Sequence, residues 1–156
     1  MGSEAKKMSS IRSYRDLRVW QEAMELTELC YKRTAGFPKC EIYGLQSQVR
    51  RAAVSVVSNI AEGRSRQSRA AYLNHLSIAL GSQADVETQI ELSLRLAYLR
   101  DSEAKEILDL AACVGRQLHA LMASLGKGRI SHSPSSQHLA PSPKSPAPSP
   151  QKEVTA

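Results

Sequence analysis

Five arginines fall within twenty residues: Arg50 and Arg51, then Arg64, Arg66 and Arg69, against one acid, Glu62. A guanidinium stays charged at physiological pH and presents a planar fork of donors that matches a phosphate group. Arg64, Arg66 and Arg69 bracket the start of a predicted helix, where free amides and the helix dipole also favour anions. Together they could hold two or three phosphates. The competing use of the same residues is a solvated turn that pairs with Glu41, Glu62 or an acidic patch on another subunit. Few aromatic residues accompany the cluster, so recognition of structured RNA by shape and phosphate fits it better than stacking of single strands.

Other chemistry is thinner. Asn59 and Glu62 lie three residues apart, on one face near the end of a predicted helix, and Gly63 follows them. A polar pair beside an apolar stripe can hydrogen-bond the next turn, a structural task that outweighs a catalytic one. Di-iron bundles need Glu-x-x-His on facing helices. His75 has Tyr72 three residues before it and His119 has Arg116, so neither fits. Cys30, Cys40 and Cys113 are odd in number and form no C-x-x-C pair, which points to reduced thiols and a cytoplasmic setting. Cys30 and Cys113 fall on apolar stripes and read as small packed hydrophobes. No nucleophile motif, phosphate loop or dinucleotide fingerprint occurs. The expectation is a protein with no catalytic residues, no metal and no cofactor.

Four periodic stretches must position these residues. Leu17, Trp20, Met24, Thr27 and Tyr31 mark a helix over 14–35, with Ser13 or Asp16 as cap. Leu45, Val49, Ala52, Val56 and Ile60 mark a second over 43–62, with Gly63 as its left-handed stop. Tyr72, Leu76, Ala79, Val86, Ile90 and Leu94 sustain a third to about Tyr98, capped by Ser65 or Ser68, with Gly81-Ser82 as a site of kinking or close packing. Ile107, Leu110, Val114, Leu118 and Leu121 mark a fourth, capped by Asp101 or Ser102 and closed by Gly126. Short connections between amphipathic helices predict an all-α fold, an antiparallel up-down four-helix bundle. The third helix reads as far longer than its neighbours. An apolar overhang needs cover, and a second copy of the chain would supply it, so a homo-oligomer is expected.

The organisation that follows is a flexible N-terminus (1–13), the bundle (14–126) and a tail (127–156). Six of seven prolines lie in that tail, amid serine and lysine, so the tail is expected to be disordered. The net charge of +6 belongs mostly to the ends: between Tyr14 and Gly126, 14 Lys and Arg face 13 acids. A basic tail adds weak, salt-sensitive attraction to polyanions without forming a site. No apolar run reaches the length of about 18 that spans a bilayer, so no membrane partner is expected.

Phe37-Pro38, Glu41, Tyr43-Gly44-Leu45, Gln48, Arg50-Arg51-Ala52, Ser55, Asn59-Ile60-Ala61-Glu62-Gly63 and Gly81-Ser82 resemble the bacterial four-helix-bundle family encoded in 23S rRNA intervening sequences. The chain is similar, more broadly, to the accessory variability proteins of diversity-generating retroelements. The resemblance covers roughly Tyr14 to Leu121. Ser65 stands where the family often has Gly, and Asp85 where it often has Glu. The resemblance implies an up-down bundle that assembles as a homopentamer, without known enzyme activity. In the retroelement relatives it implies binding to a reverse transcriptase and its structured RNA. The function expected is a non-enzymatic, oligomeric RNA-binding or ribonucleoprotein accessory protein acting through Arg50, Arg51, Arg64, Arg66 and Arg69. A protein-interaction scaffold without nucleic-acid binding is the alternative.

Overall fold

The apolar stripes become four α-helices in a computed structural model that describes residues 12–127: α1 (Arg18–Thr34), α2 (Leu45–Ser65), α3 (Arg69–Arg95) and α4 (Asp101–Lys127). Two 3₁₀ turns, Tyr14–Asp16 and Lys39–Glu41, complete the described residues, which contain no strand. The expected flexible N-terminus, up to Ile11, and the expected tail, beyond Lys127, lie outside the described residues. α2 packs on α1 and α3, and α4 closes the bundle by packing on α3 and α1. Leu26, Val49, Val56, Ile60, Leu76, Val86, Ile90, Ile107, Val114 and Leu118 are completely buried between them. At about 25 cal/mol per Å² of apolar surface, such residues carry most of the driving force for folding.

A few polar side chains key the helices together inside this core. Ser55 and Ser82 share a hydrogen bond of 2.8 Å between α2 and α3. The Thr27 hydroxyl donates to the Ala53 carbonyl at 3.1 Å, linking α1 and α2. Gln83, 5% exposed, donates to the Ala111 carbonyl at 3.1 Å, and Gly115 leaves the space its amide occupies. Buried amides and hydroxyls are tolerated only when satisfied, and these bonds also fix how the helices align. Gly81 faces solvent, and α3 runs through it as one helix, so Ser82 packs closely while no break divides the helix.

Several helix ends differ from the expectation. Ser13 and Asp16 do cap, but they cap each other across the first 3₁₀ turn, and Leu17 is extended before α1 begins. α2 runs through Gly63 to Ser65, and no glycine among the described residues has positive φ. Gly63 is therefore not a left-handed stop. It is a contact point: a Cβ there would lie 2.8 Å from Tyr72 Cδ2 and 2.9 Å from His75 Cβ. α4 likewise continues through Gly126. Its start is set by Arg100, whose amide donates 3.1 Å to Glu103, rather than by Asp101 or Ser102. Of the two caps proposed for α3, Ser68 serves, accepting from the Ala71 amide at 3.1 Å. α3 and α4 have 27 residues each, so α3 does not outrun α4, although both exceed α1 at 17 and α2 at 21.

α3 ends in a Schellman motif, with Tyr98 N–H on the Ser93 carbonyl at 2.9 Å and Ala97 N–H on Leu94 at 3.0 Å. Ala97 occupies the left-handed position, at φ 57°. The motif delivers Tyr98 to the α1–α2 connection. There its ring meets Phe37 at 5.5 Å and its hydroxyl donates to Glu41 at 3.1 Å. One end of the bundle therefore joins the α1–α2 and α3–α4 connections. The other gathers the start of α1, the α2–α3 turn and the end of α4, where Leu17, Arg64, Arg69, Leu121 and Leu125 line one cavity.

Candidate nucleic-acid interface

The α2–α3 turn is only Arg66, Gln67 and Ser68 long. A turn this short forces arginines on either side of it together. Arg64, Arg66 and Arg69 line a common cavity of about 350 Å³, with Ser68 and Tyr72. Arg64 also lines a smaller neighbouring recess with Arg12, Ser13 and Tyr14. The first amides of α3 open on this region. Ser68 satisfies that of Ala71, while helix geometry leaves those of Arg69 and Ala70 without an intrahelical acceptor. The arrangement offers charge, donors and a helix dipole to an anion.

His75 holds the turn. Arg66 Nε donates to His75 Nε2 at 3.2 Å, and His75 Nδ1 faces Asn59 Oδ1 at 3.1 Å and Glu62 Oε2 at 3.5 Å. A guanidinium only donates, so Nε2 accepts and Nδ1 carries the proton that Asn59 receives. Asn59 is anchored in turn by its amide on the Ser55 carbonyl at 2.9 Å. The pair Asn59 and Glu62 thus converges on a histidine of the next helix, and Gly63 gives that histidine room. His75 carried no motif in the sequence. Its only signal was the spacing of Asn59, Glu62 and Arg66, which put three polar residues on the face it would meet.

Tyr72 was legible as a core residue and not as anything more. It is 8% exposed, and its hydroxyl is buried without a hydrogen-bond partner. Burial pushes its pKa above the ordinary tyrosine value, and the nearby Arg64 charge opposes that shift.

Arg50 and Arg51 do not join this cluster. Arg50 stacks over the Tyr31 ring at 4.7 Å and donates to Thr34 Oγ1 at 2.9 Å, near the end of α1. Arg51 is exposed on α2, thirteen residues before Arg64, which is about 20 Å along a helix. Glu41, weighed as a partner for the arginines, lies at the opposite end, where it accepts from the Leu45 amide at 2.7 Å and from Tyr98. The groove between α1 and α4 has the opposite character, with Glu25, Glu28 and Glu106 around Lys32. Cys113 departs from its expected packed role: half-buried, it donates to Glu22 Oε2 at 3.1 Å. Burial raises the Glu22 pKa, but the Cys113 thiol, Arg18 and Gln117 outweigh it and hold the carboxyl below its ordinary value. Among the described residues no cluster of three or more His, Cys, Asp or Glu could hold a metal, and no helix is long and apolar enough to cross a membrane.

The fold defines an all-α bundle with three arginines lining one cavity at its α2–α3 turn. Residues 15–120 match the 23S rRNA-intervening sequence protein family, and the chain belongs to that family. It is similar to a solved structure from Bacteroides thetaiotaomicron VPI-5482, described as a protein of unknown function from the S23 ribosomal protein family. The TM-score is 0.62 at 23% identity, over 67% of this chain and 95% of that one. At that identity the likeness is one of fold. No curated protein matches the chain.

Proposed function

We propose that this protein is a non-enzymatic RNA-binding bundle that engages the phosphates of a structured RNA through the α2–α3 turn. The observation that carries the reading is the convergence of Arg64, Arg66 and Arg69 on one cavity at the start of α3. Arg69 makes no ion pair among the described residues, and Arg66 is held by His75 and not by a carboxylate. The site sits on a bundle end whose supports, Asn59, His75 and Gly63, fix the turn. Arg50 is tied into α1, so of the wider arginine set the turn carries the reading.

Several copies of one turn would raise avidity for a long polyanion. Ile78 and Leu92 share one face of α3, Leu96 follows at its C-terminal cap, and the three are 44–46% exposed, which supports burial of that face against further copies in a homo-oligomer, a pentamer in the fullest form of the reading. A lone monomer in sedimentation equilibrium removes this part of it. A reverse transcriptase is a further partner of the proposal, testable by nuclease-resistant co-purification.

The RNA reading is tested by the salt dependence of binding. For the full chain and a structured RNA, affinity should fall steeply with salt. Replacing Arg64, Arg66 and Arg69 by Glu should flatten the logarithmic slope by about 3, roughly one per lost phosphate contact. An unchanged slope and affinity would overturn the assignment and favour a protein-interaction scaffold.

A further inference from the structure

We infer that the cavity at the α2–α3 turn is a pocket for a terminal phosphomonoester of a nucleotide, the group found at the 5′ end of a processed RNA. This rests on the RNA reading for its source of ligand, and on the cavity for its chemistry. At about 350 Å³ the cavity lies at the small end of ligand sites, which run from about 300 to 1,000 Å³, so it suits one nucleotide unit rather than a stretch of chain. Its walls divide by character. Arg64, Arg66, Arg69 and Ser68 stand on one side, at the first turn of a 27-residue helix. Leu17, Leu121 and Leu125 stand on the other and offer an apolar surface to a base or sugar.

The feature that points to a ligand is the Tyr72 hydroxyl. Tyr72 lines this cavity, is more than nine-tenths buried, and its hydroxyl meets no acceptor. Arg64, Arg66 and Arg69 line the same cavity as this tyrosine. A buried donor without a partner is costly and rare in folded proteins. A phosphate oxygen among the arginines would satisfy it. An internal phosphodiester has two free oxygens and a chain leaving in both directions. A terminal monoester has three free oxygens, more charge, and a chain leaving in one direction only, which suits three guanidinium groups and a donor set deep in a recess at the end of the bundle.

The test is a titration of the full chain against one RNA hairpin, carrying either a 5′-phosphate or a 5′-hydroxyl and labelled at its 3′ end. The phosphorylated hairpin should bind at least about tenfold more tightly, the scale of a hydrogen bond to a charged group. Tyr72→Phe keeps the ring and should remove most of that preference without weakening binding of the 5′-hydroxyl hairpin. Because it deletes an unsatisfied buried group, its melting temperature should hold or rise, which separates lost recognition from lost fold. Equal affinity for the two hairpins overturns this inference while leaving the RNA reading in place. A preference untouched by Tyr72→Phe also overturns it, since the phosphate would then bind elsewhere. Tight binding of a nucleoside 5′-monophosphate with no binding of either hairpin keeps the pocket and overturns the RNA reading.

Discussion

The two ends of the bundle use the same kinds of residue to opposite effect. At the α1–α2 and α3–α4 end, most polar groups close on one another, the buried Arg33 Nε being left without a partner. Glu41 accepts from Leu45 and Tyr98, Arg33 meets Glu103 at 3.3 Å and Glu106 at 2.6 Å, and Arg50 is held by Tyr31 and Thr34. At the α2–α3 end, arginines line a cavity, and a buried tyrosine hydroxyl has no partner. Arginine in a sequence therefore does not mark an interface by itself. What distinguishes the two ends is that three arginines of the α2–α3 turn line one cavity with a buried tyrosine hydroxyl, whereas Arg33 and Arg50 at the other end lie against carboxylates, a hydroxyl and a ring, and an external anion has most to gain at the cavity.

Three substitutions sharpen this contrast. The largest effect is expected at Gly63. Its missing Cβ would stand under 3.0 Å from Tyr72 and from His75 Cβ, an atom with little freedom to retreat. Gly63→Ala should destabilise by about 1–3 kcal/mol through overpacking, lowering the melting temperature by several degrees and weakening RNA binding by displacing His75 and Arg66. A variant as stable as the parent would mean that α2 and α3 separate more easily than the packing implies. Next comes Glu41→Ala at the tied end, which removes the acceptor for the Leu45 amide and for Tyr98. It should cost about 1–2 kcal/mol in denaturant unfolding with RNA affinity unchanged. A loss of affinity would show that the two ends are coupled. The smallest effect is at Ala97. The left-handed conformation costs alanine about 1–2 kcal/mol, and glycine relieves it at an unfolded-state cost of about 0.4–1 kcal/mol. Ala97→Gly should therefore stabilise by up to about 1.5 kcal/mol, seen as a raised denaturant midpoint.

The helices were legible because burial imposes its period on sequence: each apolar stripe from Leu17 to Leu125 lies on a helix or at its margin. The ends were less so. Gly63 satisfies a local rule for helix stops, yet its reason is a tertiary one, the approach of Tyr72 and His75 from the next helix, which no local pattern encodes. Ala97 shows the converse, a left-handed stop at a residue whose type does not announce it. For the site, nearness in sequence grouped Arg50 and Arg51 with the turn, whereas the rise of a helix separates them from it. Tyr72 was read by its ring, and nothing in the sequence could show that its hydroxyl would lack a partner.

The central claim is that binding depends on where the arginines are, not on how much positive charge the chain carries. The decisive measurement compares two full-length variants of equal net charge by titration with one structured RNA at physiological salt. One carries Arg64→Glu, Arg66→Glu and Arg69→Glu at the α2–α3 turn. The other carries Lys32→Glu, Lys39→Glu and Arg95→Glu, three exposed cations at the opposite end. The first should lose binding while the second keeps most of it, with both retaining the parent's helical spectrum. Equal losses in the two variants, or a greater loss in the second, would contradict the account.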